Sequence, residues 1–153
     1  MSDANLRPHE VAITAPSHYD ASLWFIGKIL TPWSGRSDCP RKGDPVGGPQ
    51  CEIRVDPLWA EALQGLEADT YLQVLYWMHL SRRDVVRQNP KFGDQAYGTF
   101  SLRSPLRPNP IASSVVKLER IEDSRLWVRG LDCVSGTPLV DLKPVFCYDE
   151  RPT

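Results

Sequence analysis

Prolines and glycines divide this chain into short apolar runs, most of them no longer than one β-strand. The fourteen prolines and ten glycines are spread between these runs rather than gathered in one segment. Proline fixes φ and lacks an amide N–H, and both residue types favour turns, so each run is confined between turns. No strand–helix–strand alternation is visible. The pattern therefore predicts an all-β fold, a small closed or nearly closed β-barrel with one short helix and long loops.

The predicted elements follow from local patterns. Residues 51–55 alternate apolar and charged side chains, whereas residues 71–78 form an almost continuous apolar run that is typical of a strand buried on both faces. Asp56 and Pro57 suit a helix start and Gly65 suits its end, which predicts a short helix near residues 59–63. Residues 80–95 are predicted to be a loop. The seven predicted strands are residues 23–30, 51–55, 71–78, 97–102, 115–121, 126–130 and 139–142, with a turn at 122–125.

The length of 153 residues, with 41% hydrophobic and 24% charged residues, suits one globular domain. We expect a flexible N-terminal arm over residues 1–20 and a single barrel domain over residues 21–153. Cys39, Cys51, Cys133 and Cys147 form no CxxC pair and lack zinc spacing, so no metal is predicted. No segment approaches the roughly 18–20 apolar residues of a membrane span. These features predict a cytoplasmic protein with reduced thiols and no membrane partner.

Positive charge is concentrated in one part of a nearly neutral chain. Residues 81–120 contain eight Lys or Arg against three acids, a local net charge of +5. Such a sector can bind the phosphates of a polyanion, although a solvated surface would show the same composition. The candidate RNA contacts are Arg82, Arg83, Arg87 and Lys91, with a solvated loop as the alternative.

Residues 98–111 form a proline-rich segment with two arginines and an amide. Pro105, Pro108 and Pro110 stiffen its backbone, and Arg103, Arg107 and Asn109 project from it. A stiff frame can hold a ligand in one orientation at little entropic cost. The alternative is a structural connection whose arginines cap neighbouring carbonyls. The glycine-rich turn of a dinucleotide-binding fold is absent, because Gly47-Gly48-Pro49 lacks the necessary spacing and following helix.

The proline-rich segment resembles the signature of the TrmO (TsaA-like, YaeB-like) family, Gly-x-Phe-x-x-Arg-Ser-x-x-Arg-Pro-Asn-Pro-Ile. Three other pieces are similar in order and spacing: Ile26-Gly27 followed by Pro32, Pro40-Arg41, and the Gly-Thr-Pro-Leu-Val-Asp-Leu-Lys-Pro run at residues 136–144. The resemblance covers about residues 23–148. It implies a small β-barrel, S-adenosylmethionine as methyl donor, a homodimer, and N6-methylation of threonylcarbamoyladenosine next to the anticodon of tRNA.

The resemblance also implies roles for individual residues. Those expected at the cofactor are Pro40, Arg41, Lys42, His79, Leu80, Arg103, Ser113, Asp132, Cys133, Val134 and Ser135. Those expected to support the pocket are Arg107, Pro108, Asn109, Asp141 and Lys143. No catalytic residue is assigned, because Asp132, His79 or water could each accept the proton that leaves N6.

Several positions depart from the family pattern. Lys42 stands where the family usually has Gln, Leu80 stands where it has a polar or acidic residue, and residues 111–114 read Ile-Ala-Ser-Ser. Two alternatives therefore stay open. One is a regulatory module that binds S-adenosylmethionine without methylating tRNA, and the other is a methyltransferase that acts on another nucleoside.

Overall fold

The computed structural model describes residues 5–146, which form a mainly β structure. Among residues 5–146, three 3-10 helices lie at Arg36–Asp38, Pro57–Leu63 and Thr99–Ser101. Within the described residues, the strands are β1 (Val11–Ala12), β2 (Gly27–Leu30), β3 (Gln50–Val55), β4 (Tyr71–Trp77), β5 (Val85–Gln88), β6 (Tyr97–Gly98), β7 (Ile111–Glu122), β8 (Arg125–Arg129) and β9 (Thr137–Pro144).

Six strands close into a barrel, in the order β2-β3-β8-β7-β4-β9. The β2–β3, β3–β8, β7–β8, β4–β9 and β2–β9 pairs are antiparallel. Alternate residues of these strands are buried, as in Cys51, Ile53 and Val55 of β3 and Leu126 and Val128 of β8. Because side chains alternate across a strand, one set fills the barrel interior. The predicted small β-barrel is confirmed.

Local signals in the sequence fix several connections. Pro57 begins the longest 3-10 helix, and Gly65 follows it with a φ of +94°, which a residue with a side chain rarely adopts. The predicted short helix is therefore present, although the Asp56 side chain makes no capping hydrogen bond. Glu122 pairs with Arg125 across a two-residue turn in which Asp123 has a φ of +53°, which confirms the predicted hairpin.

Four predictions about individual strands are wrong. The predicted strand at 23–30 begins only at Gly27. β4 is buried on one face only, because Leu72, Val74 and Tyr76 are buried while the residues between them are partly accessible. The predicted strand at 97–102 ends at Gly98 and continues as a 3-10 helix. The predicted loop at 80–95 contains β5, which is hydrogen-bonded to a strand on each side. Pairing of β5 with β1 and β6 is a non-local effect that local composition does not report.

The chain divides into two compact units. The barrel unit comprises residues 23–77 and the described residues from 112 onward, and the hairpin unit comprises residues 78–111 with the described residues up to 22. A three-stranded sheet, β1-β5-β6, organises the hairpin unit. The division into an arm over residues 1–20 and one domain over 21–153 stays a prediction. Within the described residues, no helix has the length and apolar character needed to cross a bilayer.

Two buried amides stabilise the hairpin unit. Asn89 Nδ2 donates hydrogen bonds to Pro8 O (2.9 Å) and Gly93 O (2.6 Å). Gln88 Nε2 donates to Thr99 Oγ1 (2.8 Å) and Leu106 O (2.7 Å). Because buried polar groups cost free energy when they lack partners, these bonds fix the loops on both sides of β5.

Candidate functional site

A hydrogen-bonded chain of three side chains lies in the barrel unit. Tyr76 on β4 is 2% exposed, and its hydroxyl donates to Asp132 Oδ1 over 2.6 Å. The same phenol oxygen lies 2.7 Å from Ser114 Oγ on β7. Since the single phenol proton is committed to the carboxylate, the Ser114 hydroxyl donates to Tyr76. Asp132 is therefore held in one orientation by a residue 56 positions away in the sequence.

The environment of Tyr76 keeps its hydroxyl protonated. Burial raises the pKa of Tyr76 well above its ordinary value, and the charge of Asp132 and the hydrogen bond to it raise the pKa further. A phenol that stays neutral is a permanent donor, so the bond to Asp132 persists across the neutral pH range. No second hydrogen-bond partner of the Asp132 carboxylate is found within residues 5–146. A carboxylate has two acceptor oxygens, and among these residues Oδ2 of Asp132 has no hydrogen-bond partner.

Ser113, which was predicted to contact the cofactor, lies next to this chain without belonging to it. Ser113 Oγ accepts a hydrogen bond from Gln73 Nε2 over 2.9 Å. Successive side chains of a strand point to opposite faces, so Ser113 and Ser114 differ in direction. The structure therefore joins Ser114, and not Ser113, to Asp132 through Tyr76.

The predicted turn at 132–135 is fixed by hydrogen bonds from the segment after β2. Thr31 Oγ1 donates to Cys133 O (2.7 Å), and the Thr31 amide donates to Ser135 Oγ (3.2 Å). The Ser135 amide donates to Trp33 O (2.7 Å). Cys133 is buried, which raises the pKa of its thiol to about 12. Its side chain therefore contributes packing, while the accessible groups of the turn are Asp132 and Ser135.

The loop formed by Pro40, Arg41 and Lys42 is brought close to this turn by a glycine contact. A Cβ atom on Gly43 would lie 1.8 Å from Gly130 O, so the two backbones approach more closely than any side chain permits. Cys39, at the other end of the loop, has a thiol whose pKa is raised by burial and by the charges of Asp132 and Asp38. The structure thus brings the predicted loop and the predicted turn together in one unit. Arg41 and Lys42 are exposed.

Asp141 and Lys143 on β9 pair with each other. Lys143 Nζ lies 3.1 Å from Asp141 Oδ2, and both side chains are about half exposed. Asp141 Oδ1 also accepts a hydrogen bond from the Leu142 amide. An exposed pair of this kind contributes little to stability. Its predicted supporting role stays a prediction.

The remaining predicted cofactor residues lie in the hairpin unit. His79 and Leu80 form an exposed turn, which is closed by a hydrogen bond of 3.0 Å from the Ser81 amide to Met78 O. Arg103 is also exposed. The cofactor role of these three residues stays a prediction.

Two arginines form hydrogen bonds with the backbone of the proline-rich segment. Arg107 Nη1 donates to Leu102 O over 2.6 Å, and Arg83 donates to Pro108 O (2.6 Å) and Asn109 Oδ1 (3.1 Å). The alternative given for this segment, arginines that cap neighbouring carbonyls, is therefore what Arg107 does.

The four predicted RNA contacts differ in their availability. Arg82 forms two hydrogen bonds of 2.9 Å with Asp84, which lower the pKa of that carboxyl. Arg83 is engaged by the proline-rich segment, and Arg87 Nη2 donates to Ala96 O over 3.2 Å. Lys91 is exposed on the loop between β5 and β6. Their role in RNA binding stays a prediction.

Three residues that hold Asp132 or its turn are not predicted by the sequence. Tyr76 is predicted only as part of the buried strand at 71–78, Ser114 adjoins the predicted Ser113, and Thr31 has no local signal. A tyrosine inside an apolar strand is a usable signal, because a buried hydroxyl needs a partner. Nothing local identifies that partner as Asp132. Within the part of the chain that the structure describes, no group of three His, Cys, Asp or Glu side chains could hold a metal ion.

Comparison with known proteins places these features in a family. A family model described as the tRNA-methyltransferase O N-terminal domain matches residues 28–150. A "Probable S-adenosyl-L-methionine-binding protein VirR" of Rhizobium radiobacter is 51% identical over 144 residues, covering 94% of this chain and 82% of that protein. The "tRNA (adenine(37)-N6)-methyltransferase" of Escherichia coli K12 is 35% identical over 135 residues, covering 82% of this chain and 57% of that protein.

A solved structure agrees with the sequence relatives. The crystal structure of TrmO from Pseudomonas aeruginosa superposes with a TM-score of 0.69 at 32% identity. The match covers 86% of this chain and 59% of that chain. The chain thus spans most of the length of VirR but less than two thirds of the E. coli methyltransferase and of the TrmO structure. The match of the family model, the identities and the shared barrel together show that the chain belongs to the TrmO family, through its tRNA-methyltransferase O N-terminal domain.

Proposed function

We propose that this protein binds S-adenosylmethionine and transfers its methyl group to N6 of threonylcarbamoyladenosine next to the anticodon of tRNA. The observation that carries the proposal is the family model over residues 28–150. The names of the relatives support the donor and the acceptor, since one is called S-adenosyl-L-methionine-binding and another a tRNA adenine N6-methyltransferase. A homodimer and a cytoplasmic location belong to the same proposal.

The donor is a cation that carries ribose hydroxyls, and the barrel unit offers a group that suits it. Asp132 presents a carboxylate whose Oδ1 is bound to Tyr76 and whose Oδ2 has no hydrogen-bond partner among residues 5–146. A carboxylate accepts hydrogen bonds from hydroxyl or ammonium groups and attracts the sulfonium charge. Because Tyr76 is buried, the carboxylate is preorganised and a ligand does not have to order it. The proposed cofactor residues of this unit are Pro40, Arg41, Lys42, Ser113 and the 132–135 turn, and those of the hairpin unit are His79, Leu80 and Arg103.

S-adenosylmethionine, when bound, supplies a methyl group that is already activated by its sulfonium. The remaining task of the protein is positioning. Asp132 orients the donor, and the Thr31 and Trp33 contacts keep the turn that carries Asp132 in place. The proton of N6 then leaves to Asp132, His79 or water, and the fixed direction of the Asp132 carboxylate makes Asp132 the first residue to test.

The test combines donor binding with methyl transfer. Calorimetric titration with S-adenosylmethionine should show saturable binding that Asp132→Asn weakens about 10- to 100-fold, the size of a hydrogen bond to a charged group. Asp123→Asn is the matched control, because it makes the same change on an exposed hairpin turn. Radiolabelled methyl should enter tRNA that carries threonylcarbamoyladenosine and should not enter unmodified tRNA. No incorporation at micromolar enzyme into a fully modified tRNA would overturn the proposed reaction.

A second candidate is a module that binds S-adenosylmethionine without transferring its methyl group. The observation that favours it is how relatives are named. Two relatives, 51% and 38% identical to this chain, are called probable S-adenosyl-L-methionine-binding proteins, and their names state no methyl transfer. Saturable donor binding without methyl transfer to any nucleoside would select this candidate. Transfer to unmodified tRNA would instead indicate a different target nucleoside.

A further inference from the structure

The hairpin unit carries a net positive charge, although the chain as a whole is nearly neutral. Its described residues contain seven Lys or Arg against four Asp or Glu, a net charge of +3. The described residues of the barrel unit contain ten against twelve, a net charge of −2. A polyanion would therefore be attracted to the hairpin unit, whereas the barrel unit would not attract it.

The same unit exposes large aromatic rings. Phe92, in the loop between β5 and β6, is 68% exposed, and Phe100, in the 3-10 helix after β6, is 80% exposed. Rings with this exposure contribute little to a core. Each has an arginine beside it: the Arg7 guanidinium carbon lies 3.9 Å from the Phe92 ring centroid, and that of Arg107 lies 5.7 Å from the Phe100 centroid. Exposed rings beside guanidinium groups are the combination on which bases of single-stranded nucleic acids stack.

A cavity in the same unit adds polar groups. It has a volume of about 400 Å³ and is lined by His9, Arg87, Asp94, Gln95, Ala96 and Tyr97. Its charged and amide side chains can donate to and accept from the edge of a base, and the Tyr97 ring offers a stacking face. The cavity therefore adds polar groups and one ring to the surface of the hairpin unit.

We propose that Phe92, Tyr97 and Phe100, together with Lys91, form a surface that binds single-stranded RNA, with bases stacked on the rings and phosphates on Lys91. We name it the hairpin surface. The inference rests on the proposed function, because it takes the RNA substrate from there and assigns how that RNA is held. Duplex RNA fits less well, since its bases are already stacked on one another. Arg82 and Arg83 have intramolecular partners, so the rings carry a larger share of the binding than the sequence suggested.

The experiment measures binding of the full chain to a fluorescently labelled single-stranded oligoribonucleotide by anisotropy, with a duplex of the same length in parallel. Phe92→Ala and Phe100→Ala should each weaken single-strand binding about 5- to 100-fold, as loss of one stacked base does. The salt dependence of RNA binding by these two variants should equal that of the unsubstituted protein. Lys91→Gln should lower the slope of log K against log salt by about 0.7, because one phosphate contact is lost. Trp24→Ala is the matched control, since this ring is 76% exposed but belongs to the barrel unit.

Four results bear on the hairpin surface. Weakening by both phenylalanine substitutions, with Trp24→Ala unchanged and circular dichroism of all variants native, supports it. Equal binding of parent and phenylalanine variants overturns it, even if the parent methylates tRNA. A phenylalanine effect that appears only as loss of self-association in ultracentrifugation also overturns it, because the rings would then contact a second copy. Ring-dependent RNA binding without methyl transfer keeps the surface and rejects the proposed reaction.

Discussion

Removal of one hydroxyl, by Tyr76→Phe, tests whether Asp132 is held in place by β4. The substitution keeps the ring and the packing but deletes the donor that lies 2.6 Å from Asp132 Oδ1 and the acceptor for Ser114. A hydrogen bond to a charged group contributes about 1.5–3 kcal/mol, and a short O–H···O⁻ bond is among the stronger ones. We therefore expect the free energy of unfolding to fall by about 2 kcal/mol.

The change should be visible in two assays. For a chain of 153 residues, a loss of about 2 kcal/mol lowers the unfolding midpoint by roughly 4–8 °C. Urea denaturation at neutral pH gives the free energy itself. In calorimetry, the affinity for S-adenosylmethionine should fall as well, because the carboxylate must now be ordered by the ligand.

The matched control is Tyr71→Phe, the same chemical change at the start of the same strand, where the ring is 41% exposed. A surface change of this kind stays within about 0.5 kcal/mol. The reasoning is refuted if Tyr76→Phe and Tyr71→Phe have equal unfolding free energies. A stability loss with unchanged donor affinity would limit Tyr76 to a structural role. An affinity loss that exceeds the stability loss would identify Tyr76 as a positioning residue.

Two further predictions concern backbone packing and titration. Gly43→Ala should lower the free energy of unfolding by about 1–3 kcal/mol in urea denaturation, because its Cβ would lie 1.8 Å from Gly130 O. Gly93→Ala is the control, since a Cβ there would have nothing within 4 Å, and it should leave the free energy of unfolding unchanged. Burial raises the thiol pKa of Cys51 to about 11 and of Cys133 to about 12, from an ordinary value of 9.0. Above pH 9 the two thiols lose their protons in the unfolded chain but keep them in the folded chain. The free energy of unfolding is therefore at its full value below pH 9 and falls as the pH rises toward 11–12. The fall is about 1.4 kcal/mol per pH unit for each thiol. Denaturation at pH 8 and 10.5 checks this, and a decline that Cys133→Ala does not flatten would contradict it.

Local sequence patterns were sufficient to predict the architecture of the barrel. Alternating runs such as Cys51 to Val55, the turn at 122–125, and Pro57 and Gly65 at the ends of the short helix were all interpreted correctly. These signals are local, because they depend on side-chain alternation or on the φ of a single residue. The family, too, could be inferred from the sequence, since its signature is a contiguous segment.

The strand predictions that are wrong concern segments whose structure depends on residues far apart in the chain. Val85 to Gln88 forms a strand because β1 and β6 supply hydrogen bonds on both sides, and neither partner is visible in its own composition. Tyr97 to Leu102 was interpreted as one strand, yet the backbone turns at Thr99, where the side chain donates to Val85 O. Strand propensity depends on such neighbours, which is why these two segments were misassigned.

The sequence by itself determined a small β-barrel of the TrmO family, with its turns and its candidate residues. The tertiary structure decided which residues each candidate contacts. Asp132 meets Tyr76 across 56 residues, and the loop that carries Arg41 and Lys42 approaches Gly130 because Gly43 has no side chain. It also showed that Arg83 and Arg107 hold a loop, while Phe92 and Phe100 face solvent. The physical reason is that a side chain's chemistry is set by its spatial neighbours, and closure of the barrel brings together segments that are distant in sequence.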